Sequence, residues 1–536
     1  MTDPSSGSRF HNRGLIMSMR QLSQSRFAGT AMTGVLGLAS VAGTAVGQLA
    51  DGFAELHDRL GEATPTGAGV GVGQVEALQG TSYKPNSSNF GVAYSVIEMS
   101  GPSGVSAHAS SVIATYVQRC SGLETDWSWE ALNFLQGGLL NFGGGAPLLP
   151  PAGLGLFNHS WVASGEDAAS GNNVLRRFDY QVSRDNTLSM VGIGNNASSP
   201  PAYLMSSQYN GITVGALNTS HGLTPGGGRG GEGRMKPDIA VESVGASSTA
   251  TPIVSAVAAI LLETAETDPD LAGNPDASDD QVIKAVILAS ATHAETWSNQ
   301  PAAKGPDRGV TSSPLDSTWG AGFVNANRAH LLLTGGEQPP SSTVPASSNA
   351  TNRGWSRTGI GSGTRRYWRF TIGEQVDEVV ILATWPRYVP STFTSYSLMN
   401  IDLTLSRVEG TTLIPLTGDA GLSYFASGNV VSESAVDNVE LLVVRDLAPG
   451  DYVFEIYRVP GATSTSVAVA WLMPETDMPG IPGDLNHDGM VNGADLAILL
   501  GCWGEVTDPA CSPSDLNADG LVNGADLSIQ LGNWTG

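Results

Sequence analysis

The chain has 536 residues, with 26 Lys and Arg against 50 Asp and Glu, for a formal net charge of −24. That surplus of negative charge repels nucleic-acid phosphates and anionic membranes, so neither is an expected partner, and it suits an extracellular protein that binds calcium. With 67 glycines and 30 prolines the chain is loop-rich, which excludes a coiled coil or helical array, and its length allows three or four domains, each with its own core.

At the N-terminus, Arg13, Arg20 and Arg26 precede the small and apolar stretch Phe27 to Val46, and Ala45-Val46-Gly47 suits cleavage before Gln48. Residues 1–47 therefore read as a secretory signal peptide, and the mature protein is expected to be secreted or extracellular. No later stretch reaches about 18 apolar residues, so no membrane span is expected in the mature form. Cys502 and Cys511 lie in one connecting loop, where an exported chain is expected to form a disulfide, which leaves Cys120 as a free buried thiol.

From Gly67 the run GAGVGVGQVEAL alternates small and β-branched residues and ends in a carboxylate, Glu76, as a buried parallel strand with a residue at its C-terminal edge would. His108 follows a turn-rich segment and opens an apolar helix, a place from which an imidazole can reach a strand edge as a general base. Gly153 to Val162 and Leu188 to Asn196 read as buried strands, the second ending in Gly194-Asn195, and Gly211 to Leu217 follows as another. In Lys236 to Leu262, small residues from Gly245 to Thr251 allow a tight backbone, and Pro252 with the apolar run Ile253 to Leu262 starts a buried helix. Ser248 then sits at or just before a helix N-terminus, where free N–H groups favour a developing negative charge. Ser247 and Ser248 are caps of a core helix on one reading and an acyl-transfer nucleophile with its neighbour on the other.

Ser248-Thr249-Ala250-Thr251-Pro252, with Lys236-Pro237-Asp238-Ile239 upstream, resembles the nucleophile region of subtilisin-like serine proteases, usually G-T-S-x-A-T-P. Ser247 stands where that family has Thr and Ala246 where it has Gly, so Ser247 is a second candidate. His108-Ala109-Ser110-Ser111-Val112-Ile113-Ala114 is similar to the family's H-G/A-T-x-V-A block, Gly194-Asn195 to its A-G-N block, and Leu315 to Leu333 to its closing element. Asn158-His159-Ser160-Trp161 is similar to the block lining the family's peptide groove, although Trp161-Val162-Ala163 replaces the common Leu-Gly-Gly. The resemblance implies an α/β parallel-sheet catalytic domain over residues 65–335 and a serine endopeptidase acting on a protein or peptide substrate. In it Ser248 is the nucleophile, His108 the base, and Asn195 an oxyanion donor beside the Ser248 N–H. Glu76 takes the place of the usual Asp, in the order acid, His, Ser. The altered acid and the degenerate Gly245-Ala246-Ser247-Ser248 block leave a second reading, a catalytically inactive scaffold acting as an extracellular binding or assembly protein.

Residues 336–354 form a Pro-, Ser- and Asn-rich linker. Over residues 355–474, period-2 segments at Tyr367 to Ile372, Glu378 to Thr384, Ile401 to Ser406 and Tyr452 to Tyr457 predict an antiparallel β-sandwich, a jelly roll. Asn400 to Leu403, Asp437 to Glu440 and Pro449 to Tyr452 are similar to blocks in galactose-binding-like domains, with packing against the catalytic domain as the favoured role.

After a second linker at 475–483, Asp484 to Leu496 recurs almost letter for letter as Asp515 to Leu527. Oxygen ligands at loop positions 1, 3, 5, 9 and 12 and a carbonyl at 7 suit Ca2+: Asp484, Asn486, Asp488, Met490, Asn492 and Asp495, then Asp515, Asn517, Asp519, Leu521, Asn523 and Asp526. Each loop precedes one helix. Two such half-hands resemble a dockerin module, a small α unit with two EF-hand-like calcium loops, over residues 484–534. The resemblance implies a cohesin-like docking partner, with Gly493-Ala494 and Gly524-Ala525 at the positions where cellulosomal dockerins read theirs.

Overall fold

The computed structural model describes residues 51–89, 94–163, 168–195, 204–217, 234–242, 244–344, 350–473, 483, 485, 491–506, 509–517 and 519–534. The signal-peptide reading of residues 1–47 and the linker at 475–482 lie outside the described residues.

Seven strands make one sheet: β1 (Gly71–Glu76), β2 (Ser95–Glu98), β3 (Thr125–Glu130), β4 (Leu154–His159), β5 (Leu188–Gly192), β6 (Ile212–Ala216) and β7 (Ile239–Val241), in spatial order β2-β3-β1-β4-β5-β6-β7. All pairings are parallel. Parallel strands need crossovers, and the intervening segments supply helices to both faces. On one face lie α2 (Ala107–Val117), α5 (Ser247–Thr267), α6 (Asp280–Ala289) and α7 (Ala326–Leu333), with α1 (Phe53–Leu60) against α7. On the other lie α3 (Ala131–Gln136) and α4 (Ala168–Asp185), around a core of Val75, Trp129, Phe157, Phe134 and Phe178.

β1 is buried at every position, and its glycines make room for neighbours. A Cβ on Gly71 would meet the Trp127 ring at 2.2 Å, and one on Gly73 would meet Phe157 at 2.3 Å. Aromatic rings of β3 and β4 thus lie directly over the strand that ends in Glu76.

α5 is long and apolar enough to cross a membrane, but it is the core helix of this unit and mostly buried. It begins at Ser247, so Ser248 lies at its N-terminus as expected, and Pro252 sits inside it. A proline in a helix lacks the N–H that would bond the carbonyl four residues back, here that of Ser248.

The β-sandwich consists of two antiparallel sheets. One runs Val431–Ser432, Ile401–Glu409, Gly450–Arg458, Arg365–Ile372, with Thr412–Pro415 on Ile401–Glu409; the other runs Arg353–Ile360, Thr465–Leu472, Val376–Thr384, Val439–Leu447, Ser427–Gly428. Val310–Thr311, from the preceding unit, extends the first sheet by pairing in parallel with Val431–Ser432. Between the sheets is a core containing Trp368, Phe370, Trp385, Phe454 and Trp471.

Besides this core, the sandwich shares apolar surface with the preceding unit. The outer face of the second sheet, with Val380, Leu382, Leu441, Val443, Ala468 and Ala470, joins the same apolar cluster as α5, α6 and α7. Trp355 is fully buried at this boundary and donates its indole N–H to Leu333 O at 2.9 Å. Polar groups cross it too. The Asn438 amide donates across it to Tyr209 O (3.0 Å), and Asn210 donates across it to Arg387 O (3.0 Å); Trp385 O (2.7 Å) accepts from Asn438 within the sandwich, and Tyr209 O also accepts from Lys284 Nζ (2.6 Å) within the sheet unit. Asp437, Asn438 and Glu440, part of the galactose-binding-like resemblance, are all buried.

At the C-terminus, α8 (Gly493–Gly501) and α9 (Gly524–Gly532) pack together, and Cys502 and Cys511 form a disulfide between them. Cys120 is free and buried; its thiol donates to Ala256 O and burial pushes its pKa up.

Because the sheet unit and the sandwich share an apolar cluster and hydrogen bonds at their boundary, Asn438→Ala is expected to cost about 1–3 kcal/mol by stranding a buried carbonyl. Calorimetry of the variant should show one transition covering both units shifted down; two separated transitions would disprove a shared core.

Candidate active site

In a parallel sheet the C-terminal ends of all strands lie on one edge, where side chains from distant parts of the chain meet. β1, β4 and β5 are adjacent there, with Val75 level with His159 and His159 level with Val191. Glu76, Ser160 and the Gly194-Asn195 turn therefore come to one edge, and the N-termini of α2 and α5 are brought to the same place.

Ser106 caps α2, accepting the Ala109 N–H at 3.1 Å, and Gln79 accepts the His108 N–H at 3.1 Å. This fixes the first turn so that His108 Nδ1 lies 2.7 Å from Glu76 Oε2. The carboxylate is fully buried, while the imidazole is about a third exposed at 36%. The hydrogen bond to Glu76 raises the His108 pKa; partial burial opposes it, and the nearby negative charge adds to it.

Behind this pair, Asp126 on β3 is buried, which pushes its carboxyl up to about 8. Ser128 and the Gln74 N–H pull it down, and the charge of Glu76 raises it further. Asp126 is thus mostly protonated at neutral pH. His159, beside the groove block, is also no acid–base group. It is buried among Phe134, Phe157, Phe178 and Trp161, and desolvation lowers it to about 3.

The two candidate serines have different surroundings. Ser247 is buried; its hydroxyl accepts the Gly194 N–H at 3.1 Å and lies 3.0 Å from Asn195 Oδ1, which also accepts the Ser247 N–H at 2.8 Å. Ser248 is half-buried, and its carbonyl, left without an intrahelical donor by Pro252, accepts the Ser160 hydroxyl at 3.2 Å. Ser160 is held in turn by Asn158, whose Nδ2 donates to its Oγ at 3.0 Å, and Ser255 Oγ donates to Asn158 Oδ1 at 3.0 Å. The Ser248 N–H, second in the helix, has no carbonyl one turn earlier to bond.

With Asn195 Oδ1 taken twice, the Nδ2 end of that amide is the one left to donate. The structure therefore brings Glu76 to His108, and Asn195 to the Ser247–Ser248 turn, at one sheet edge. Among the described residues no hydrogen bond joins His108 to the Ser248 hydroxyl. Sequence reasoning missed Gln74, whose side chain bonds Glu76. A polar residue two before the acid on a strand shares its face, and that was the available signal.

In the second C-terminal loop, Asp515 accepts the N–H groups of Asp519 (3.1 Å) and Gly520 (2.7 Å), and Gly520 has φ +86°. The buried Asp526 closes the loop by accepting from Leu516, Asn517 and Asn523. Asp495 plays the same part in the first loop for Leu485 and Asn492. Asp484, Asn486, Asp488 and Met490 lie outside the described residues, and among the described residues no three His, Cys, Asp or Glu side chains gather as a metal cage. The donor set of the second loop is all oxygen around a left-handed glycine, which fits a hard cation such as calcium.

Residues 482–529 match the family Dockerin type I domain, so the C-terminal repeat is a dockerin. Domains of this family in general bind calcium and typically bind cohesins. No curated protein matches the chain. Among solved structures, a lanthipeptide protease is similar at 13% identity over 52% of this chain and 93% of that one, with a TM-score of 0.35. Fervidolysin from Fervidobacterium pennivorans, a keratinolytic enzyme related to subtilisin, is similar at 12% identity over 79% and 61%, with a TM-score of 0.33. A protease from Pseudoalteromonas arctica follows at 14% identity over 52% and 94%, with a TM-score of 0.32.

A histidine raised by its acid gains stability that is complete below the ordinary imidazole value and is lost as pH rises through the folded value. Glu76→Gln should therefore destabilise the protein more at about pH 6 than at about pH 9, and should lower the His108 midpoint read by NMR titration. An unmoved midpoint would rule out the charge of Glu76 as its cause.

Proposed function

We propose that the chain is a secreted serine endopeptidase of subtilisin-like form that attaches to a cohesin-like partner through its dockerin. The observation that carries the reading is the 2.7 Å contact between Glu76 Oε2 and His108 Nδ1, at the sheet edge that also holds Asn195 and the first turn of α5.

Glu76 at Nδ1 keeps the proton of the neutral imidazole on that nitrogen, leaving Nε2 as the base. Nε2 takes the Ser248 hydroxyl proton as Oγ bonds the peptide carbonyl carbon, and the carbonyl π pair moves to oxygen. The Asn195 Nδ2 and the Ser248 N–H stabilise that oxyanion, helped by the positive end of α5. The carbonyl re-forms, the C–N bond breaks, and the imidazolium gives its proton to the leaving amine. Water, deprotonated by the same nitrogen, then adds to the acyl carbon; as the carbonyl re-forms, the bond to Ser248 Oγ breaks and the imidazolium returns the proton to that oxygen. Ser247 serves as the support of Asn195 and not as the nucleophile, since its hydroxyl is buried and committed.

In the dockerin, Asp515, Asn517, Asp519, the Leu521 carbonyl, Asn523 and Asp526 would hold one Ca2+, and Asp484, Asn486, Asp488, Met490, Asn492 and Asp495 the other. The ions supply the positive charge that lets these acidic loops close and order their helices.

The hydrolase reading predicts that a fluorophosphonate probe labels the folded protein and that Ser248→Ala abolishes labelling. Ser247→Ala should still label, and Asn195→Ala should slow the reaction by roughly 100-fold or more, as loss of one oxyanion donor does. A folded wild type that takes no label favours instead the non-catalytic assembly protein. For the tail, calcium added to the chelated full-length protein should raise helicity and protease resistance after residue 483, and Asp515→Ala with Asp484→Ala should abolish the change. No response in the wild type would remove calcium from the account.

A further inference from the structure

Gln74 lies on β1, two residues before Glu76 and on the same strand face, and only 1% of it is exposed. Its amide nitrogen donates to Glu76 Oε1 at 3.0 Å and to Ala109 O at 2.9 Å. Both partners are acceptors, which fixes the NH2 end of the carboxamide toward them. Ala109 follows His108 in the first turn of α2, so one planar group ties the acid to the helix that carries the imidazole. The Glu76 carboxylate is thereby held at both oxygens, Oε1 by Gln74 and Oε2 by His108.

We propose that Gln74 is a positioning residue of this site, clamping the Glu76 carboxylate so that a single oxygen faces His108 Nδ1. The inference rests on the hydrolase reading for its consequence in turnover, but not for its geometry. A glutamate has one more rotatable bond than an aspartate, and its carboxylate can swing away from a partner ring. A donor on the far oxygen removes that freedom. Because the same NH2 group also holds Ala109, any drift of α2 away from β1 strains the contact that orients the acid. Gln74 touches neither the proposed nucleophile nor the oxyanion donors, so it acts only through Glu76 and His108.

The test is the exchange of the His108 Nδ1 proton with water in the full-length protein, read by NMR with selectively labelled histidine. In the wild type a downfield, slowly exchanging signal is expected. In Gln74→Met, of similar length but without donors, exchange should speed up by roughly 10-fold, as loss of one hydrogen bond of ordinary net strength implies. In the Glu76→Gln background the same substitution should add nothing. If Gln74→Met does not fold, Gln74→Glu keeps the shape, replaces the amide's two N–H donors by an acceptor-only carboxylate, and is expected to speed exchange in the same sense. Unchanged exchange in a folded variant, with only its melting temperature lowered, overturns the proposal. The readout needs no catalysis: accelerated exchange in a protein that never labels with the fluorophosphonate would sink the hydrolase reading and leave the clamp standing.

Discussion

A fully parallel sheet must be covered on both faces, and this constraint organises the whole molecule. Strands such as Leu188–Gly192 and Ile212–Ala216 are buried at every position. Their crossovers must therefore be amphipathic or wholly apolar helices, of which α5 is the extreme case. Covering both faces leaves polar side chains from several strands to gather at the sheet's ends, here the carboxyl edge. Glu76, Ser160 and Asn195 all sit there because their strands end there, and no further device is needed to gather them.

Within that edge, the geometry depends on two local departures from ideal structure. Pro252 inside α5 deprives the Ser248 carbonyl of its helical partner, and the Ser160 hydroxyl takes the role, backed by Asn158 and Ser255. The start of α5 is thereby pinned to β4. Ser247 is pinned to the turn after β5 by Asn195 and Gly194. Ser248 follows in the first turn of the helix and is left half-buried. The acid side is separate and equally rigid: Glu76 is bound at both oxygens and His108 is held by the cap of α2. The two halves are coupled through the packing of α2 on α5.

The sandwich extends the same logic. Its second sheet covers α6 and α7 with apolar residues, so those helices are buried between two sheets instead of facing water, and all ten residues of α6 are buried. Lys284 on α6 can be buried because Tyr209 O accepts its ammonium, and burial lowers its pKa while the surrounding carboxylates oppose that shift. The dockerin differs in kind. Its exposed side chains include Leu500, Trp503, Leu531 and Trp534, and its short helices lean on a disulfide. A small module of this sort has little core of its own, and the disulfide adds a cross-link to it.

Much of this was legible in the chain itself. The runs at Gly67, Leu188 and Gly211 announced buried strands, the period-2 segments after residue 355 announced antiparallel sheets, and the duplicated Asp-Asn-Asp-Gly loops announced their own spacing. Those features depend on side-chain periodicity and turn chemistry, which act over a few residues and are written locally. The start of α5 beside Ser248 was legible, but not that Pro252 would lie inside the helix, where the Ser160 hydroxyl compensates for it from far along the chain. The different surroundings of Ser247 and Ser248, the contact of Gln74 with Glu76 and the apolar cluster shared by sheet and sandwich came only from tertiary structure. Each depends on which strands become neighbours, and in this sheet β1 lies between β3 and β4, an order that no stretch of sequence contains.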